Sequence, residues 1–265
     1  MSATLERAGL HVESVGAGPP LVLLHGWAMH SGLFGPLLPG LADRFRVHAV
    51  DLPGHGRSQA AAPDTLDGYV DAVARSIGAR EALTVLGWSF GGQVALRWAS
   101  REGDRVTRLV LVCTSPRFVA APDWPHAMAA ATLARFGDDL VSDWRQTLLR
   151  FLTLQVQGSD EGRRALAHLR RQLFARGDPK RSSIAAALRV LAATDLRAEV
   201  RSVTAPALAI AGERDTLAPA AAGAWLARAM PDARFARIDG AAHAPFLSHR
   251  AAFDRALAGF LHDAG

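Results

Sequence analysis

The sequence predicts an α/β fold: a mostly parallel, twisted sheet flanked by helices, with an all-helical segment inserted late in the chain. Three observations predict it. Short apolar runs at residues 21–24, 83–86 and 108–113 alternate with stretches of helical period. That is the pattern of strands buried on both faces and joined by right-handed crossovers. One run ends in Gly87-Trp88-Ser89-Phe90-Gly91, a G-x-S-x-G turn that carries a strand sharply into a helix. Residues 115–201 then hold helical stretches and no convincing strand, before the strand pattern resumes at residue 206.

In order, residues 10–15 alternate loosely and read as an edge strand ahead of the turn Gly16-Ala17-Gly18-Pro19-Pro20. Residues 21–24 are the first buried strand and run into His25-Gly26-Trp27. Residues 31–44 read as a short helix interrupted by Gly35, Pro36, Pro39 and Gly40. Residues 47–50 are the next strand, closed by the turn-rich Asp51-Leu52-Pro53-Gly54-His55-Gly56-Arg57-Ser58. Leu66, Tyr69, Val70, Val73 and Ile77 have helical spacing, and Thr65 stands where it can cap that helix. The elbow and its helix follow, then the strand at 108–113. Within the insertion, residues 127–136, 140–155, 162–175 and 182–193 read as helices. Residues 206–211 and 234–238 are the last strands, with a helix to Met230 between them and a closing helix over 250–261. The expected division is a core of residues 1–114 and 202–265 and a helical lid at 115–201.

The chain has 265 residues, of which 49% are apolar. That is enough for one large domain with a full core, and it excludes a disordered chain. No apolar run approaches the ~18 residues of a membrane span, and residues 1–16 lack the apolar segment of a signal peptide. The one cysteine, Cys113, excludes an internal disulfide and reads as a small core residue. A soluble, cytoplasmic monomer is expected. The net charge is +5, and Lys180 is the only lysine among the basic residues. The charge is uneven: residues 144–181 hold nine basic against three acidic side chains, a net +6. Such a patch steers and docks an acidic partner; a solvated helix face is the plainer alternative. No nucleic-acid module and no interleaving of aromatic with basic residues is present, so nucleic acid is not the expected partner.

The elbow serine carries the chemistry. Ser89 would sit in strained backbone above the sheet, with Gly87 and Gly91 leaving room for strand and helix to approach. The helix start aims free N–H groups at a developing oxyanion. A serine hydroxyl needs a base within reach, and the base needs an orienting acid. The expected chain order is serine, acid, histidine. Of ten histidines, His243 follows the last strand in the right order; His25, His48, His55 and His126 precede the acid loop. That loop, after residues 206–211, holds Glu213 and Asp215. Asp215 lies further along, where it can reach under the histidine, and Glu213 reads as a solvated charge. The oxyanion donors are expected from Phe90 N–H and from the loop after His25-Gly26, most simply Trp27 N–H. Trp27 can also wall the acyl site or be plain core. His55 and Arg57 read as braces for their own loop.

With these residues in place, the chain resembles the α/β-hydrolase superfamily throughout its length. More narrowly it is similar to the pimeloyl-[acyl-carrier protein] methyl ester esterases, the BioH family of biotin synthesis. The matching stretches are residues 21–27, 50–58, 86–92 and 243–249. Trp88 beside the serine and His243-Ala244-Pro245-Phe246 are the more telling among them. Three segments of the insertion also match: 115–118 leading to Asp123-Trp124-Pro125, 150–155, and 191–197. The resemblance implies that Ser89 attacks the methyl ester of a pimeloyl chain held on acyl-carrier protein. It implies substrate contacts at Trp27, Ser89, Phe90, Phe151, Leu152, Thr153, Leu154, Gln155 and His243. Trp88, Phe118 and Trp124 could extend an apolar channel or be plain core. It implies carrier contacts at Arg150 and Arg163 first, then at Arg145, Arg164 and Arg170.

Three other readings stay open. A broad carboxylesterase acting on small free esters would use the same triad, as would a carbon–carbon bond hydrolase. A non-catalytic binding protein on this fold would not need the triad intact. A dehalogenase would need aspartate where Ser89 stands. No metal cluster or phosphate loop is apparent, and no cofactor or metal is expected.

Overall fold

The computed structural model describes residues 3–78 and 81–262. Residues 1 and 2 of the polar N-terminal stretch, and 263–265 at the end of the expected core, lie outside it. Among the described residues eight strands form one sheet: β1 (Ala3–Arg7), β2 (Leu10–Val15), β3 (Pro20–Leu24), β4 (Arg46–Val50), β5 (Leu83–Trp88), β6 (Val106–Val112), β7 (Ala207–Gly212) and β8 (Ala233–Ile238). Their order is β1-β2-β4-β3-β5-β6-β7-β8. β1 and β2 run antiparallel to their neighbours, and β4 through β8 pair in parallel. Of the apolar runs read as doubly covered strands, β3 and β5 are buried at every residue, while β6 is buried over 109–112 and half-buried at Arg108; β7 is buried throughout as well.

Residues 10–15 are not the edge of the sheet. β1 lies outside them, joined through Ala8 and Gly9 at φ 52° and 75°. Two positive-φ residues make the tight turn whose twist suits a hairpin. Neither residue advertised it, because Ala-Gly is a poor signal for that turn.

Helices cover the sheet: α1 (Leu38–Ala42), α2 (Leu66–Ile77), α3 (Phe90–Arg101), α7 (Ala220–Ala229), the short α8 (Pro245–Ser248) and α9 (Arg250–His262). Thr65 caps α2, its hydroxyl accepting from Gly68 N–H at 3.2 Å. The broken stretch 31–44 resolves into a 3-10 turn, Ser31–Phe34, and α1, as its two prolines and two glycines require.

Between β6 and β7 stand α4 (Ala130–Leu154), α5 (Gly162–Leu173) and α6 (Arg181–Ala193). The two helices expected at 127–136 and 140–155 are one element with a kink, and the break is at Asp143 (φ −146°, ψ 80°), not near Gly137. Asp143 supplies the reason. Its carboxylate accepts from Gln146 N–H at 3.1 Å, and its carbonyl accepts from the Thr147 hydroxyl at 2.7 Å. A side chain that bonds its own following turn starts a helix afresh. These helices lie over the C-terminal ends of the strands. Trp27 Nε1–H donates to the Ile184 carbonyl of α6 at 2.9 Å, and His243 N–H donates to the Gln155 carbonyl at 2.9 Å.

Candidate active site

β5 delivers Ser89 to the turn before α3 with φ 56° and ψ −120°. A non-glycine residue there is strained, and it persists only because its surroundings fix it. Ser89 N–H donates to the Val112 carbonyl at 2.9 Å, and the Thr114 hydroxyl donates to the Ser89 carbonyl at 2.7 Å. Any side chain at Gly87 would collide with the Gly91 backbone, and any at Gly91 with the carbonyls of Leu24 and His25. The two glycines of the G-x-S-x-G turn are therefore imposed by contact.

Three side chains from three strand ends meet at this point. The Ser89 hydroxyl donates to His243 Nε2 at 2.8 Å, and His243 Nδ1–H donates to Asp215 Oδ2 at 2.8 Å. An ionised carboxylate only accepts, so it fixes the proton on Nδ1 and leaves Nε2 free to take the serine proton. Asp215 Oδ1 is held by Leu217 and Ala218 N–H at 2.9 and 3.0 Å. Ser89, Asp215 and His243 are all buried, so little water competes for these bonds. Glu213 is exposed and turns away from the histidine; its carboxylate accepts from Gly240 N–H at 2.9 Å.

Three partners of this line are not legible in the sequence. Trp88 Nε1–H donates to the His243 carbonyl at 2.7 Å, with the two rings 5.5 Å apart. Gln155 fixes the His243 backbone from the other side. Cys113, at φ 45°, packs its thiol by the Ala242 carbonyl and the Asp215 carboxylate. Burial, then the Asp215 charge, pushes that thiol well above its usual range. Cys113, Asp215 and His243 are a cluster of possible metal ligands among the described residues. However, the thiol is held protonated and the other two are bonded to each other.

Phe90 opens α3, where an N–H has no acceptor within the helix. Trp27 precedes Ala28, which is held at φ 60°, and its buried ring meets Phe151 edge-on at 4.9 Å. Phe136 continues the row against Phe151 at 5.8 Å. The residues 151–155 divide. Phe151 and Gln155 come to the site. Leu152 is buried among apolar neighbours. Thr153 and Leu154 line a groove of about 410 Å³ on the outer side of α4, with Phe136 and Arg150. Phe118 and Trp124 are buried at the base of the insertion, and Trp124 meets Trp225 of α7 at 5.1 Å.

Arg163, Arg164 and Arg170 are exposed on α5. Arg145 and Arg150 are exposed on α4 and pair with Asp178 and Asp139 at 2.6 and 3.1 Å. Exposed pairs of this kind are worth about 0–1 kcal/mol, so they open readily to another anion.

His25 and Asp51 form a second buried centre beside the site. Burial, followed by the neighbouring His55, lowers His25 to about 3. Burial alone would raise the Asp51 carboxyl, but His25, Arg176 and the donors of Arg57 and Ser31 hold it well below its usual range. His55 braces its own loop, its Nδ1–H donating to the Pro53 carbonyl at 2.9 Å. Arg57 braces the loop too, through its N–H to Asp51 at 2.8 Å.

A family model described as alpha/beta hydrolase fold matches residues 19–250. A pimeloyl-[acyl-carrier protein] methyl ester esterase of Nitrosomonas europaea is 46% identical over 241 residues, covering 91% of this chain and 95% of its own. A protein of the same name from Chromobacterium violaceum is 44% identical over 94% of this chain and 96% of its own. Among solved structures, an esterase from Exiguobacterium antarcticum superposes with a TM-score of 0.89 at 22% identity, over 99% of this chain and 100% of its own. The enol-lactonase from Burkholderia xenovorans LB400 gives 0.84 at 24%, over 98% and 100%. These last two share the fold.

Proposed function

The chain belongs to the α/β-hydrolase fold family and, within it, to the pimeloyl-[acyl-carrier protein] methyl ester esterases, and from that membership we propose its reaction and the residues that perform it. The protein is a carboxylic ester hydrolase that converts pimeloyl-[acyl-carrier protein] methyl ester to pimeloyl-[acyl-carrier protein] and methanol in biotin synthesis. The observation that carries the mechanism is the line Ser89–His243–Asp215 with 2.8 Å at both links.

Ser89 Oγ attacks the ester carbonyl while its proton passes to His243 Nε2. The oxyanion takes hydrogen bonds from Phe90 N–H and Trp27 N–H. The intermediate collapses by expelling methoxide, which leaves as methanol with the proton from His243. Water then attacks the acyl-serine, giving its proton to His243. The second collapse returns that proton to Ser89 and releases the carboxylate. Asp215 holds the imidazole in the required tautomer and stabilises its charged form. No cofactor enters any step.

The residues 115–201 act in this reading as a lid. Phe151 and the edge of Trp27 face the acyl chain, while Leu152 supports them from the core. The exposed arginines 163, 164 and 170, with Arg145 and Arg150, face the acidic carrier. The enzyme works as a cytoplasmic monomer. Among the described residues no helix is long and apolar enough to cross a membrane.

The test is turnover of pimeloyl-carrier methyl ester beside a short free ester, at low and moderate salt. The expected result is strong carrier-ester hydrolysis that weakens with salt, abolished by Ser89→Ala. Turnover of the free ester alone would make the protein a general esterase.

A further inference from the structure

Arg176 follows α5, inside the basic stretch that faces the carrier, yet its side chain is 9% exposed and turned into the core. One guanidinium nitrogen lies 2.7 and 2.6 Å from the two oxygens of Asp51 and 2.9 Å from the Ser31 hydroxyl. The other reaches Glu13 of β2 at 3.4 Å. Asp51, at the end of β4, is wholly buried, and its carboxylate also accepts from Ser31 N–H and Arg57 N–H, both at 2.8 Å. A guanidinium turned inward onto Asp51, Ser31 and Glu13 is not presented to a docking partner.

Ser31 ends the loop 26–31, which begins after β3 and carries Trp27. That loop contains Ala28 at φ 60°, an uncommon conformation for a residue with a side chain, which its surroundings must impose. The helical segment grips the loop at three points, one of them the Gln172 carbonyl of α5, which receives His30 Nε2–H at 2.6 Å. The Ile184 carbonyl of α6 receives the Trp27 indole N–H at one end. Arg176 and Asp51 hold Ser31 at the other. Three of these contacts are charge-assisted and shielded from water, the setting in which such bonds are strongest.

We infer that Arg176 is a positioning residue for the ester hydrolysis: through Asp51 and Ser31 it sets the loop that presents the Trp27 N–H to the oxyanion. The oxyanion site is then completed by the helical segment and does not belong to the sheet edge alone. The inference rests on the reading of Trp27 N–H as a donor and Ser89 as the nucleophile. It assigns Arg176 a role apart from the carrier-facing arginines, although it lies among them in sequence.

The experiment compares wild type with Arg176→Gln, Arg176→Lys and the double variant Arg176→Gln/Asp51→Asn. The double variant leaves no unpaired buried charge, so it carries the comparison if the single glutamine variant does not fold. For each, kcat and KM are measured on p-nitrophenyl butyrate and on the carrier-linked methyl ester, along with the rate of Ser89 labelling by an alkyl p-nitrophenyl phosphonate. The phosphonate reaction also places an oxyanion in the hole. Misplacing a donor by a fraction of an ångström to an ångström costs on the order of 10–100-fold. The expected result is a loss of that size in kcat and in labelling rate, with KM within about twofold and partial recovery in the lysine variant. A folded variant with near-wild-type kcat and labelling overturns the inference and leaves the serine mechanism intact. A loss seen only as a raised KM for the carrier-linked ester also overturns it, and makes Arg176 a docking residue. If wild type itself is not labelled at Ser89, the reading of the nucleophile falls and this inference falls with it.

Discussion

Two carboxylates stand in the loop after β7, and they do different work. Asp215 accepts from His243 Nδ1–H and from two backbone amides, all buried. Glu213 caps the turn at Gly240 from the surface. Asp215→Asn keeps the shape but offers the histidine the wrong tautomer, so kcat on a short ester should fall by about 10³–10⁴. Glu213→Gln should stay within about threefold. Steady-state rates for the two variants decide the matter, and the reverse order would move the orienting role to Glu213. The elbow, the histidine and the acid loop were legible because each sits where a strand ends, and strand ends show in the hydropathy. Trp88 N–H to the His243 carbonyl, Gln155 to His243 and Cys113 beside Asp215 were not. Each joins residues far apart in sequence, and neither side's type announces the partner. Arg176 was hidden for a further reason: in sequence it is one more arginine in a basic run, and only burial separates it from its neighbours.

The helical segment between β6 and β7 is stitched at its base and bent in its longest member. Arg117 pairs with Asp195 at 3.1 Å, Arg197 pairs with Asp123 at 2.9 Å, and Leu196 N–H donates to the Pro116 carbonyl at 2.9 Å. The entry and exit stretches of the segment therefore hold each other. This ties together two of the three insertion segments that carried the family resemblance, 115–125 and 191–197. The third, 150–155, sits over His243. The strands, α2 and the order of the elements followed from periodicity. The hairpin strand β1 did not, because its turn lacks the usual residues. The break in α4 falls at Asp143 and not between residues 136 and 140, because a capping carboxylate there outweighs the single half-buried Gly137. The carrier reading is tested on the outer faces of these helices. Arg150→Glu/Arg163→Glu reverses two exposed charges. It should lower kcat/KM on the carrier ester by at least about tenfold at low salt and leave p-nitrophenyl butyrate within twofold. Equal losses on both substrates would mean that these arginines support the lid and dock nothing.

At the scale of the whole molecule, five histidines are buried or half-buried, and two of them bridge the seam between sheet and helical segment. His11, His25, His30 and His55 are buried and His168 is half-buried. Burial is the leading cause that lowers all five. Two hold the seam by hydrogen bonds across it: His30 Nε2–H to the Gln172 carbonyl at 2.6 Å and His168 Nε2–H to the Leu33 carbonyl at 3.3 Å. His30 Nδ1 must stay unprotonated to accept from Gly32 N–H. A base whose folded pKa lies below its unfolded value binds fewer protons when folded. Its contribution is whole above the unfolded value, 6.5, and is lost as pH falls toward the folded one. For His25, which burial lowers to about 3, the whole interval from 6.5 to 5 lies in the range where stability is lost. The other four add to it in the same direction. Asp51, also depressed, joins only below its own unfolded value of 3.8. Urea unfolding between pH 7.5 and 5 should therefore show stability falling, with more than one proton taken up on unfolding at the acid end. The slope should shrink when His30 is replaced by Asn, which keeps a hydrogen-bonding side chain without the titration. A flat profile from 7.5 to 5 would mean that these histidines are protonated in the folded state, and that the seam is held by charge and not by neutral donors.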